Sequence, residues 1–553
     1  MAHPRSAYAF ALLLAAACAP VALLVEAPEK ELRDPENRPE AEAVGARVLL
    51  LGVDGLRADI FEEELEAGNL PGFAELLGGV DDQGELAHAY VHHKAIAPYP
   101  SVTAVGWSTV VTGKPPAEHG VTGNEMLLRP SGRFVAPVPM SVDDRSDVLA
   151  TYNEQLFAKL LKTPTVWTRL HERGLTSWVA TNHVHVGADR LLLPGREDLV
   201  QGVAQTMMGH MGLTDGDEAA YSELDDGTFS TVLDALEADE EPPDVLMVYA
   251  SGTDLLAHHE NAPGLDAQRR YLREQLNRRA GQLAAYLRHH GNWYVILTAD
   301  HGHTDVLPDD AHALAVGGED APGHRVLREA GFKPHAPSLG TLEGSDDAVF
   351  AHQSGAAFVY LADRSKCDED RCSWSFPPRY EEEVLVAADA FHEARSEGGP
   401  MEQSLAMVLV RQPVPFEEED HAFEVYLGAG KTMDVGTYLA NHPEHSGPAM
   451  AERLHRLAVG RYGERAGDVM LIARTDPDHV EKRYYFGQQY EATHGSALPT
   501  DSMVPFVLSH PELTRAQLGS LVKNMAGEVL YLDEVAPIIE KLATSPRLAV
   551  DAR

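Results

Sequence analysis

Three stretches of the chain are apolar almost throughout instead of alternating: Ala46 to Val53 (ARVLLLGV), Asp244 to Ala250 (DVLMVYA) and Asn292 to Thr298 (NWYVILT). A strand with one wet face alternates, whereas a strand covered on both faces has no polar side to show. Such runs call for a mostly parallel sheet held between helices. The rest of the chain supplies them, with helical periodicity over Ile60 to Leu77, Thr165 to Arg173 and Ala267 to His289, and further strands at Thr176 to Thr181 and Val504 to Ser509. The expected fold class is α/β, a doubly wound, mostly parallel sheet with helices on both faces. At 553 residues one large domain with insertions is expected, covering 45–545.

Each of the three runs ends near an aspartate: Asp54 directly, Asp254 within SGTDLLAHHEN, and Asp300 within ADHGH. Open α/β sheets bind ligands beyond the carboxyl ends of their strands. Asp254 and His258 are four apart, share one face of a helical turn and can grip one ion, while the adjacent Asp300 and His301 can reach one metal or bridge to a second. One aspartate at a strand end is an ordinary turn former. Three of them with histidines point to metal, and the mixture of carboxylate and imidazole suits zinc better than calcium. Two ions are expected, other divalent ions being compatible with the same donors. A pair of metals can activate a nucleophile and stabilise the leaving oxygen of an in-line displacement.

Between the first and second runs lies SVTAVGWSTVVTGKPPAEHGVTGN, Ser101 to Asn124. It reads as a helix beginning near Thr103 and stopped at Gly113 before Pro115. A hydroxyl there is either an N-cap or a nucleophile at the positive end of a helix, where a phosphate would also bind. Trp107 and Trp293 lie in apolar segments and read as core, with base stacking as the alternative.

The balance of 45 basic against 85 acidic residues, a formal charge of -40, excludes a protein that holds nucleic acid by neutralising its backbone. It leaves small phosphoesters open as partners, because bound metals reverse the local potential. Met1 to Val25 has Arg5 followed by an apolar run, and the polar stretch 26–44 follows as a tether. This reads as an export signal, either cleaved, lipidated at Cys18 or kept as a membrane anchor, and implies a periplasmic or extracellular protein. Cys367 and Cys372 in CDEDRC suit a small-loop disulfide better than a zinc knuckle, which needs four ligands. The strand–helix rhythm is lost from 305 to about 435, a region expected to be an insertion or cap that contains the apolar segment Ala356 to Leu361.

The stretches LLLGVDGLRAD, SVTAVGWSTVVTGKPPAEHGVTGN, SGTDLLAHH, LTADHGH and THGSALPTDSMVPF resemble, in order, the motifs of the alkaline phosphatase superfamily, in its type I phosphodiesterase and nucleotide pyrophosphatase branch. The resemblance implies that Asp54, Thr103, Asp300 and His301 hold one zinc ion and Asp254, His258 and His494 the other. It also implies that Thr103 is the nucleophile, forming a phosphothreonine that water hydrolyses. Type I sulfatases carry a C/S-x-P-x-R motif where this chain has TAVGW, so formylglycine chemistry is not expected.

Two positions depart from the branch. Many nucleotide pyrophosphatases carry an asparagine three residues after the nucleophile, where this chain has Gly106. Asn124 instead stands where phosphate-irrepressible alkaline phosphatases place an amide donor. Those monoesterases add a Lys-x-Arg pair, and at about that place this chain has His183-Val184-His185. These histidines are either ordinary loop residues or substrate contacts without permanent charge. Diesters or nucleotide pyrophosphates are therefore the expected substrates, a monoester or phosphonate hydrolase is the alternative, and a non-catalytic metal-bound surface protein is the reading from another class.

Overall fold

The computed structural model describes residues 29–33, 38–40, 45–139, 146–153, 156–195, 216–239, 241–258, 264–314, 321–336, 338–413 and 420–544. The export segment with Cys18 and most of the tether lie outside the described residues. Among the described residues no helix is long and apolar enough to cross a membrane.

The three apolar runs form the centre of an eight-stranded sheet. In space the order is Glu29–Glu31, Arg190–Leu192, Ser177–Ala180, Val245–Ala250, Arg47–Val53, Trp293–Thr298, Phe506–Ser509 and Ala89–Val91. The five strands from Arg190–Leu192 to Trp293–Thr298 are parallel, and antiparallel strands flank them on both sides. Every residue of Val245–Ala250 and Trp293–Thr298 is buried, as an unalternating run requires. The mostly parallel α/β architecture expected from sequence is therefore present. Register then does the work of assembly. Val53 pairs with Ala250 and Gly52 with Thr298, so the three strands stop level and their following aspartates converge on one edge.

Two helical stretches differ from the simple periodicity. Ile60 to Leu77 contains two helices, Ala58–Glu66 and Pro71–Leu76, separated at Gly68, whose φ of 71° a helix cannot accommodate. Ala267 to His289 is helical throughout but passes through a π turn at Leu272–Leu276.

A second, antiparallel sheet of six strands has the order Ala348–His352, Ala356–Leu361, Val469–Ala473, Leu405–Arg411, Phe423–Gly428 and Lys431–Asp434. It draws the strand Val469–Ala473 from beyond 435, and its two faces carry separate apolar clusters. Cys367 and Cys372 are disulfide-bonded beside it. The buried Arg453 ties this region to the nucleophile segment, donating from Nη2 to Ser101 Oγ at 2.7 Å and to the Pro98 carbonyl at 3.0 Å.

Candidate metal and phosphoester site

Thr103 is the first residue of the helix Thr103–Thr112, and Val102, not Thr103, occupies the capping position. The hydroxyl is therefore not spent on the helix. Its Oγ1 lies 3.1 Å from His301 Nε2, in a position that is 5% exposed. The cap comes from twenty residues away, where Asn124 Oδ1 accepts from Ala104 N at 2.9 Å. That bond turns the donor end of the Asn124 amide away from Ala104. Gln353 holds the loop in place by accepting from Asn124 N at 2.7 Å.

Gly106 is explained by the same packing. A Cβ there would sit 2.5 Å from Asp300 Cβ and 2.7 Å from its carbonyl oxygen, so the helix can lie against Asp300 only without a side chain. Trp107, one residue on, is fully buried and packs edge-on against Tyr249 at 5.4 Å, while Trp293 is 2% exposed; both are core.

Asp54, Asp254, Asp300, His301 and His494 are buried, and His258 is half-buried. Asp54 Oδ1 is 3.5 Å from His301 Nε2, and Asp300 Oδ2 is 3.3 Å from the same nitrogen. Asp254 Oδ1 is 3.4 Å from His258 Nε2 and 3.7 Å from His494 Nε2. The structure thus brings together all seven residues that the resemblance assigns to metal. Two donor groups meet the spacing for one ion each, Asp254 with His258, His303 and His494, and Asp54 with Asp254 and His301.

His303 was not anticipated. It follows His301 by two residues in the loop after a strand, and only its proximity to Asp254, at 3.1 Å, marks it. A histidine repeated at a spacing of two in HGH was the available signal.

The donors fit a cation on a further count. Asp54 Oδ1, Asp254 Oδ1, Asp300 Oδ2 and His303 Nε2 are all buried without a hydrogen-bond partner. Unsatisfied buried polar atoms are costly, and four converging on one space call for positive charge there. Burial first, and then the charges of Asp300 and Asp254, push the Asp54 carboxyl well above its ordinary range. Burial and Asp254 do the same to Asp300. Asp254 stays well below the usual range in spite of burial, because His258 and His303 surround it. Burial brings His301 down to about 3 and takes His494 well below its ordinary value, so both rings are neutral donors.

Tyr249 supports the set from behind, its phenol donating to Asp54 Oδ2 and leaving Oδ1 for the site. His183 lies behind that tyrosine, edge-on at 6.0 Å and beside Phe157 at 5.4 Å. Burial holds its ring neutral, with a pKa of about 3. His185 stacks on Tyr152 at 6.0 Å, and its Nδ1 bonds the Asn182 carbonyl at 3.1 Å.

The fold is similar to that of human ectonucleotide pyrophosphatase/phosphodiesterase 5, at 14% identity over 90% of this chain and 94% of that one, with a TM-score of 0.50. It is also similar to phosphonoacetate hydrolase from Sinorhizobium meliloti 1021, at 16% identity over 92% and 100% of the two chains, with a TM-score of 0.48. At such identities the likeness concerns the fold. No curated protein matches the sequence. The family model for type I phosphodiesterase / nucleotide pyrophosphatase matches residues 48–370, more than half of the chain, and spans the strand-end aspartates, Thr103 and His301. The chain accordingly belongs to the type I phosphodiesterase / nucleotide pyrophosphatase family of metal-dependent phosphoester hydrolases.

Proposed function

We propose that this is an exported two-zinc hydrolase of phosphodiesters or nucleotide pyrophosphates that works through a phosphothreonine at Thr103. The observation that carries the reading is the placement of Thr103 Oγ1, which is uncommitted to helix capping and lies 3.1 Å from His301 Nε2 among converging carboxylates. Asp54, Asp300, His301 and Thr103 would hold one ion, and Asp254, His258 and His494 the other. When bound, such ions lower the pKa of a ligated hydroxyl and neutralise charge on the phosphoryl oxygens.

The chain's own residues supply the rest. The helix beginning at Thr103 brings the positive end of its dipole to the reacting phosphoryl group, with its Ala104 N–H held by Asn124 Oδ1, and the Asn124 amide adds a donor for a phosphoryl oxygen. Thr103 gives up its hydroxyl proton to solvent, and the Oγ1–P bond forms as the P–O bond on the opposite side breaks; the leaving group departs as an alkoxide from a diester or as a phosphate from a pyrophosphate. Water then attacks the phosphorus of the phosphothreonine, the Oγ1–P bond breaks, the phosphomonoester is released and Thr103 regains its proton from the attacking water.

Substrate class follows from charge. His183, neutral and one ring behind Asp54, supplies no cation where a dianionic monoester would need one. A monoanionic diester needs less, so diesters or pyrophosphates are favoured over the monoester or phosphonate alternative. Export rests on Arg5 and the apolar run that ends at Val25.

The test is kcat/KM of the metal-replete protein on an aryl phosphate diester and on its monoester, with a chelated control. A chelator-sensitive preference for the diester is expected. A preference for the monoester would transfer the assignment to a phosphomonoesterase, and metal binding without turnover of any phosphoester would leave only a binding protein.

A further inference from the structure

His303 stands outside the ligand set that the family resemblance assigns, yet its ring is built into the site as firmly as the others. We propose that His303 is a fourth protein ligand at the position formed by Asp254, His258 and His494, giving that ion three imidazoles and one carboxylate. The inference rests on the two-metal reading above and adds to it that the two positions are chemically unequal.

The first argument is the aim of the ring. His303 Nδ1 lies 3.0 Å from the Gly55 carbonyl and carries a hydrogen, which turns Nε2 toward the site. Nε2 faces Asp254 Oδ1 at 3.1 Å. A proton on Nε2 serves that contact when no metal is bound, and a bound cation takes its place between the two atoms. The other two rings are set in the same way, with His258 Nδ1 on the Ala492 carbonyl at 2.9 Å and His494 Nδ1 on the Ser101 carbonyl at 3.1 Å. Backbone carbonyls that fix the tautomer and aim Nε2 inward are the usual support of a ligating histidine.

Geometry supplies the second argument. The Nε2 atoms of His258, His303 and His494 lie 3.4, 3.1 and 3.7 Å from one oxygen, Asp254 Oδ1. Tetrahedral zinc with bonds of about 2.0 Å spaces its donor atoms by about 3.3 Å. The three ring centres are 5.0, 5.0 and 5.3 Å apart, and the same tetrahedron places imidazole centres about 5 Å apart. His303 is therefore one of three near-equivalent rings. Space for it is provided by Gly55, where a Cβ would fall 2.3 Å from His303 Cε1 and where φ is 65°.

Four protein donors fill a tetrahedral shell, as in structural zinc sites, whereas catalytic sites keep a position open. This ion would thus have three imidazoles and one carboxylate, against two carboxylates, one imidazole and the Thr103 hydroxyl at its neighbour, and it can take a substrate oxygen only as a fifth ligand.

The experiment loads the full protein with two equivalents of Co2+ and counts exchangeable, strongly shifted Nδ1–H proton resonances, one for each imidazole bound through Nε2. Four are expected, from His258, His301, His303 and His494, and His303→Gln should show three. The same variant should release the Co2+ of the Asp254 position to a competing chelator at least about tenfold more readily. Two bound ions with three resonances in the unsubstituted protein would overturn the role of His303 and leave the two-metal reading standing. Failure to take up Co2+ at all would overturn both. The count in the unsubstituted protein decides the matter even if the variant does not fold.

Discussion

Asn124 couples the stability of the nucleophile helix to the chemistry at its end, and two substitutions separate these contributions. Its Oδ1 accepts from Ala104 N at 2.9 Å in a fully buried position, while the other end of the amide is a donor. Asn124→Asp keeps an acceptor for Ala104 N and exchanges the donor for an anion. If that donor stabilises charge on a phosphoryl oxygen, its loss should lower kcat by about 10²–10³, or roughly 2.7–4 kcal/mol. Asn124→Ala removes the donor and also strands a buried N–H, which adds a stability cost of about 1–3 kcal/mol. The assay is kcat and kcat/KM on an aryl diester at saturating metal, paired with the urea midpoint of each variant. Both variants should be slow, and Asn124→Ala should have the lower midpoint. Wild-type turnover in Asn124→Asp would refute the donor role, and an unchanged midpoint in Asn124→Ala would refute the capping role.

Gly106→Ala inserts a methyl group 2.5 Å from Asp300 Cβ, so stability should fall by about 1–3 kcal/mol and metal content measured by atomic absorption should drop with it. Tyr249→Phe removes the donor to Asp54 Oδ2 and should weaken metal binding about 10–100-fold in a chelator competition, while the apolar contact with Trp107 persists. Glu64, buried beneath Arg273, Asn69 and Arg269, has its pKa lowered from 4.5 to about 2, chiefly by the hydrogen bond from Arg273. A depressed carboxyl stabilises the fold above its unfolded pKa and loses that contribution as pH falls. The excess stability of wild type over Glu64→Gln should therefore be constant above 4.5 and shrink as pH falls toward about 2, followed by urea unfolding at each pH.

How much of this was legible in the sequence depended on how local each signal is. The strands Arg47–Val53, Val245–Ala250 and Trp293–Thr298 announce themselves because burial on both faces confines polar residues to their ends, Arg47 at the start of one and Thr298 at the close of another. Their aspartates were legible for the same reason, each standing close behind such a run. Tyr249 was hidden: it is one more apolar residue in VLMVYA until register places it opposite Gly52, within reach of Asp54. His303 escaped because its partners, Gly55 and Asp254, are far away in the chain. The break near Gly68 was readable from Gly68 and Pro71, whereas the π turn at Leu272–Leu276 contains neither glycine nor proline to mark it. In the insertion, LAMVLVR at Leu405–Arg411 is as apolar as the central strands, but its antiparallel neighbours are set by long-range pairing that periodicity does not reveal.

The role of Thr103 is the point on which the chemistry turns, and acid quenching during turnover tests it directly. The protein would be mixed with a diester labelled in its phosphoryl group, denatured within the first turnover and digested. Label should appear as phosphothreonine in the peptide containing Thr103, and it should be absent from Thr103→Ala, which should keep nearly normal metal content. Undiminished turnover in Thr103→Ala, or label on another residue, would contradict the assignment of the nucleophile.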